Sequence, residues 1–147
     1  MPPSRWLKDG VYVLQHSDRF YVGKSADIAK RIREHKAGRG AVCCPISSVR
    51  VKPITPPVVC LETQDWESWE RNETLTRMYE FGIDKVRGWM FTSRDLSKAE
   101  KDHAFRQVCE KFDLCRRCGA ATHFASDCGA LHRVQWGTRF LCGSSYK

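Results

Sequence analysis

A chain of 147 residues with 41% hydrophobic residues and five tryptophans can fold one principal domain and a small satellite, which excludes a disordered polypeptide. Lysine and arginine outnumber aspartate and glutamate by 25 to 17, a formal +8 that suits a polyanionic partner such as nucleic acid. The apolar runs are short and the first six residues lead into no hydrophobic segment, so neither a signal peptide nor a spanning helix is expected. That places the chain inside the cell, in nucleus or cytoplasm, neither secreted nor on a membrane.

After a short lead-in at Trp6 to Asp9, the runs Gly10 to Leu14 and Phe20 to Lys24 are rich in Val, Tyr and Phe and flank a polar insert. They predict an antiparallel hairpin, and an even-numbered loop would put Tyr12 and Tyr21 on one face. Ser25 or Asp27 can then cap a helix with Ile28 and Ile32 one turn apart and Arg31 and His35 sharing a neighbouring stripe. Gly10-Val11-Tyr12, Tyr21-Val22-Gly23-Lys24 and Arg31 eight positions beyond Gly23 resemble the GIY-YIG nuclease family, with valine at both motif isoleucines. Taken singly, the tyrosines are ordinary strand residues and Arg31 a solvated helix charge; order and spacing together favour the nuclease hairpin.

Lys36 to Gly40 ends the helix in a basic, glycine-containing loop, suited to a phosphate backbone or simply to the helix dipole. The third strand is expected at Ile46 to Val51 or at Val58 to Glu62, and the more apolar second run is preferred. From Thr63 or Asp65 to Phe81 the pattern is helical, with Trp66, Thr74, Met78 and Phe81 on one side and Glu70 within that stripe. An inward carboxylate is costly unless it is paired or binds a cation, so Glu70 is preferred over its rivals Glu67 and Glu73. The family resemblance implies one such glutamate on this helix, binding a single divalent ion, Mg²⁺ or Mn²⁺. Gly82 closes the helix, and Ile83 to Phe91 reads as a loop running into a short extended piece.

Ser93 or Asp95 can cap a further helix through Lys111, with Leu96, Ala99, Ala104, Val108 and Phe112 apolar. Beyond it, Cys115, Cys118, His123 and Cys128 stand as C-x2-C-x4-H-x4-C, donors for one structural Zn²⁺ in a segment too short to have its own core. The pattern resembles the CCHC zinc knuckle, which reads single strands. In this chain Phe124 would stack a base and Arg116 and Arg117 would hold the strand. Thr122 stands where many knuckles have glycine, so a purely structural knuckle remains the alternative. Cys43, Cys44, Cys60, Cys109 and Cys142 are read as spare thiols, and the scattered apolar residues of the tail leave it open.

The expected fold is α+β: a GIY-YIG-like domain over 5–94 with a three-stranded antiparallel sheet flanked by helices, a connecting helix over 95–112, a zinc knuckle over 113–129 and a tail over 130–147. The expected function is metal-dependent endonuclease cleavage of phosphodiester bonds, with nucleic acid as partner, DNA ahead of RNA, and no assignment of oligomeric state. By the family's mechanism Tyr12 helps deprotonate the attacking water, Tyr21 orients water or phosphate, Arg31 stabilises phosphate charge and Glu70 anchors the metal; Lys24 and His35 support them. The competing reading is a non-catalytic nucleic-acid-binding protein on the same scaffold.

Overall fold

Gly10–His16 (β1) and Arg19–Ser25 (β2) pair antiparallel with His16 opposite Arg19 and Tyr12 opposite Gly23, so two residues make the turn. In this computed structural model the described residues are 9–16, 18–39, 50–53 and 66–137. Val11 to Leu14 and Phe20 to Val22 are buried without alternation, because both strands lie inside a sheet covered on both faces. Tyr12, Leu14, Tyr21 and Gly23 share one face of that hairpin, as the even loop requires.

Asp27 begins Ile28–Lys36 (α1), its carboxylate accepting the Lys30 N–H at 3.0 Å, while Ser25 Oγ accepts the Asp27 N–H at 3.1 Å. Both residues named as possible caps therefore act in sequence, with Asp27 as the cap itself. Ile28 and Ile32 are buried.

The expected three-stranded antiparallel sheet needs correction among the described residues, where four strands lie in the order β3-β1-β2-β4. Arg50–Pro53 (β3) pairs antiparallel with β1, so the strand takes up the end of the less favoured run and extends it to a proline. Proline donates no ladder hydrogen bond, and the sheet edge is where that costs nothing. The favoured run at 58–62 lies outside the described residues. Val86–Gly88 (β4) pairs parallel with β2, in the stretch expected to be a loop and an extended piece. A Cβ on Gly88, at φ +148°, would stand 2.6 Å from the Val22 carbonyl oxygen and 2.7 Å from Thr74 Oγ1. Only glycine lets the strand come so close.

Trp66–Phe81 (α2) buries Glu70, Thr74, Leu75 and Met78: the middle of the expected stripe with Leu75 added, while Trp66 and Phe81 at its ends are only half-buried. Gly82, at φ +100°, ends it. Lys98–Phe112 (α3) is capped four residues beyond Ser93 and two beyond Asp95, the expected caps. Ser97 is the cap, its Oγ accepting the Glu100 N–H while the Glu100 carboxylate accepts the Ser97 N–H, a reciprocal capping box.

The chain divides into two compact units, one of residues up to Thr74 with Val86–Asp95, the other of Leu75–Lys85 with the residues from Leu96 onward. The first contains the sheet and α1. In the second, Tyr79 stacks on Phe112 with ring centroids 4.7 Å apart, and Trp136 lies nearly parallel on Phe105 at 5.0 Å. Arg133 covers Phe105 at 4.0 Å and is held by Asp102 at 2.7 Å. The tail's scattered apolar residues thus include one that packs, Trp136, whereas Leu131 stays exposed. No helix among the described residues is long and apolar enough to cross a membrane.

Candidate active site and metal centre

Tyr12 and His35, each only 1% exposed, meet with the phenol oxygen 3.0 Å from Nε2. The pairing follows from the local fold: β1 points Tyr12 to the face that α1 covers, and His35 is the last buried position of α1. Tyr21 closes the cluster, its ring 6.3 Å from Tyr12 and 5.3 Å from His35. Gly23 makes room for it. A Cβ there would sit 2.6 Å from both Cζ and Oη of Tyr12.

Burial pushes the Tyr12 phenol up to about 12, against the pull of the nearby Arg31 guanidinium. Burial, with Arg31 adding to it, holds His35 down to about 4, so the imidazole is neutral at pH 7. His35 Nδ1 is buried with no hydrogen-bond partner. Arg31 itself is partly exposed and is steered by Glu34 at 2.9 Å, an i, i+3 pair on α1.

Glu70 is the buried carboxylate of α2, 7% exposed. Its Oε1 accepts the Trp89 N–H at 3.2 Å and its Oε2 lies 3.4 Å from Lys24 Nζ. Burial raises its pKa, while Lys24 and the Trp89 amide pull it back. The Glu70 carboxylate adds a little to the rise of the Tyr12 phenol. Of the residues named from the sequence, Tyr12, Tyr21 and His35 form one cluster with Arg31 beside it, and Lys24 pairs with Glu70. Glu34 and Trp89 were not named, and Gly23 only as part of the motif. The i, i+3 spacing and a glycine inside a strand were the available signals for Glu34 and Gly23; nothing local pointed to Trp89.

One carboxylate with an exposed lysine at its outer oxygen fits a hard divalent cation, which takes one or two carboxylates and fills its other positions with water and phosphate oxygens. In the second unit, the donor atoms of Cys115, Cys118, His123 and Cys128 all lie within 4.8 Å of one another. A zinc tetrahedron with Zn–S of about 2.3 Å has edges of about 3.8 Å, so the four fit that ion with a small contraction. Burial works against ionisation of Cys115, but the backbone N–H groups of Cys118 and Arg117 hold the thiol down to about 6, towards the thiolate a metal needs. Thr122 Oγ1 lies 3.1 Å from His123 Nδ1, which leaves Nε2 facing Cys118 Sγ at 3.4 Å. The residue standing in place of glycine thereby orients a ligand ring.

Phe124 is 64% exposed, and Arg116 and Arg117 are exposed too, Arg117 donating to the Cys128 carbonyl at 3.3 Å. Cys109 donates to the Cys115 carbonyl and stands outside the donor cluster, a buried spare thiol pushed up to about 11 by burial. Cys43, Cys44, Cys60 and Cys142 lie outside the described residues.

No curated protein and no solved structure matches the chain. The family model of the GIY-YIG catalytic domain does match, over residues 8–74, a stretch that contains Tyr12, Tyr21, Lys24, Arg31, His35 and Glu70 and stops four residues beyond the last of them. The match therefore takes in the hairpin, α1, β3 and the start of α2, and it points to an endonuclease family.

Proposed function

We propose that this protein is a divalent-metal-dependent endonuclease that hydrolyses phosphodiester bonds, DNA ahead of RNA, and that its zinc knuckle helps to hold the strand. The observation that supports it best is Glu70: a buried carboxylate held by Lys24 and the Trp89 amide, in the matched domain that also contains the buried tyrosine–histidine pair. A carboxylate is expensive to bury unless it is paired or binds a cation.

In this reading Arg31 and Lys24 bind the phosphate, and Tyr21 fixes its orientation. Glu70 would hold the cation, which when bound supplies positive charge at the leaving oxygen. Tyr12 handles the proton of the attacking water. Burial pushes the phenol up to about 12, so Tyr12 serves as the base only where Arg31 and a bound cation would stabilise its phenolate. His35, neutral at pH 7, positions the phenol oxygen through the 3.0 Å contact at Nε2. Cys115, Cys118, His123 and Cys128 would bind zinc and so hold Phe124, Arg116 and Arg117 in place for a single strand.

The test is incubation of the purified protein with labelled single-stranded, duplex and branched DNA and with RNA, in Mg²⁺, Mn²⁺ or EDTA. Cleavage that requires the metal supports the reading. Binding without cleavage in either metal would leave a nucleic-acid-binding protein on a nuclease scaffold.

A further inference from the structure

The turn after β4 is built with more care than a connection needs. Gly88 and Phe91 exchange both backbone hydrogen bonds, at 3.0 and 2.8 Å, which closes the turn around Trp89 and Met90. Phe91 is buried and anchors it. Arg87, itself buried, fastens both ends: its guanidinium donates to the carbonyls of Val86 at 2.9 Å, Ser93 at 2.8 Å and Arg94 at 3.1 Å. At the tip, the Trp89 N–H binds the Glu70 carboxylate, so the turn is tied to the very group that would hold the cation.

Trp89 also has φ +51°, a left-handed conformation that glycine or asparagine adopts at little cost and a bulky side chain does not. The contact with Glu70 comes from the backbone and asks for no particular side chain. The core contact of the turn is supplied by Phe91. Trp89 is partly buried, its ring set edge-on to Phe91 at 5.7 Å and with the Arg71 guanidinium 6.0 Å from its centre; Met90 beside it is 52% exposed. Strain at a partly open aromatic, held rigidly beside a reactive carboxylate, is the signature of a side chain placed for a ligand.

We propose that Trp89, with Met90 as its apolar flank, is the ledge on which a nucleobase next to the scissile phosphate stacks. Every base offers a π-face, so the contact positions the strand without reading its sequence. The inference rests on the proposed nuclease reading for the word scissile, but its core, an unpaired base resting on Trp89, can stand or fall alone.

The test uses the full-length protein and a set of fluorescently labelled single-stranded DNA oligonucleotides in which one base after another is replaced by an abasic site. Affinity is read by anisotropy, in calcium to prevent cutting. For the wild type, removal of the base at one or two adjacent positions should weaken binding roughly 5- to 150-fold, the range for one stacked base. Trp89→Ala and Trp89→Asn should bind the intact strand that much more weakly and lose the sensitivity at those positions. Asparagine suits the left-handed backbone, so a cooperative melt for Trp89→Asn shows that the fold is kept. Wild-type affinity in both variants, an unchanged abasic profile, or no binding to any strand would overturn the proposal. Mg²⁺-dependent cleavage, measured in parallel, decides the nuclease reading separately: a protein that binds and does not cut can still show the Trp89 profile, and one that cuts can lack it.

Discussion

The Tyr12 phenol oxygen and His35 Nε2 lie 3.0 Å apart, and each residue is only 1% exposed. The distance matters because the two groups are displaced in opposite directions, the phenol upward and the imidazole downward, and both are neutral at pH 7. A neutral pair can be buried without an ion pair to compensate it.

Histidine 35 should make the fold sensitive to mild acid. Its folded value is about 4 against 6.5 for the ordinary group, so between those limits the unfolded chain binds the proton first. Stability is full above about pH 6.5, declines as pH falls towards 4, and levels off below, by on the order of 3 kcal/mol in all. Glu70 works the other way in the window between its ordinary value and its raised folded one, because there the native state binds the proton first. Urea melts at pH 7 and pH 4.5 in a Glu70→Gln background, with and without His35→Gln, single out the histidine. The stability lost between the two pH values should be smaller by about that amount once the histidine is replaced.

A methyl group on Gly23 should damage activity more than stability. Its Cβ would displace the Tyr12 ring tip, with a packing cost of about 1–3 kcal/mol, and pull the hydroxyl off His35. Single-turnover cleavage by Gly23→Ala should fall towards that of Tyr12→Phe, expected to be about 10²- to 10⁴-fold below wild type for a lost proton-transfer group. Near-normal rates in either variant would take Tyr12 out of the chemistry.

Glu70→Gln nearly preserves shape and keeps an acceptor for the Trp89 amide, so the protein should fold and bind nucleic acid. Metal-dependent cleavage should drop by several orders of magnitude. Glu73→Gln, three residues on, is the control and should keep substantial activity. The reverse pattern would assign the metal to Glu73.

The second unit should bind one zinc per chain, by metal analysis of reduced protein, and Cys109→Ala should leave that stoichiometry unchanged because its sulfur serves the Cys115 carbonyl. The zinc module should need more than the four ligands and their loop. Trp136 donates its indole N–H to the Gly119 carbonyl at 3.2 Å, and the Val134 N–H binds the Cys118 carbonyl at 2.7 Å. Trp136→Ala should cost roughly 2–4 kcal/mol, somewhat below a fully buried tryptophan. A fragment ending at Gly129 should melt well below the full chain with zinc present; equal melting would make residues 133–137 dispensable.

The legible part of the site was the part written in consecutive residues. Hairpin alternation, the Asp27 cap and the stripe that set Glu70 above Glu73 are local patterns with fixed periods, and the structure places all of them. Partners distant in sequence leave no period. β4 is three residues long and takes its place through Gly88, whose need shows only against Val22 and Thr74. Trp89 reaches Glu70 by a backbone amide, a group every residue but proline carries, so its identity told nothing. Trp136 sits in a stretch without periodicity because a single ring stack and one indole hydrogen bond dock it.

The 23-residue separation between Tyr12 and His35 bears on how the protein assembles. Hairpin and helix α1 are neighbours in the chain, and closing so small a loop costs little entropy, whereas Glu70 must be recruited across 46 residues to reach Lys24, and Trp89 across a further 19. The tyrosine–histidine cluster should therefore form early in refolding and the carboxylate arrive late. Pulse-labelling hydrogen exchange should find the Val13 and Val22 amides protected before that of Trp89; simultaneous protection would mean that the half-site has no independent existence. On the proposed reading, early formation would set Arg31 in place for a phosphate before Glu70 arrives to take a cation, so that binding would precede competence to cut.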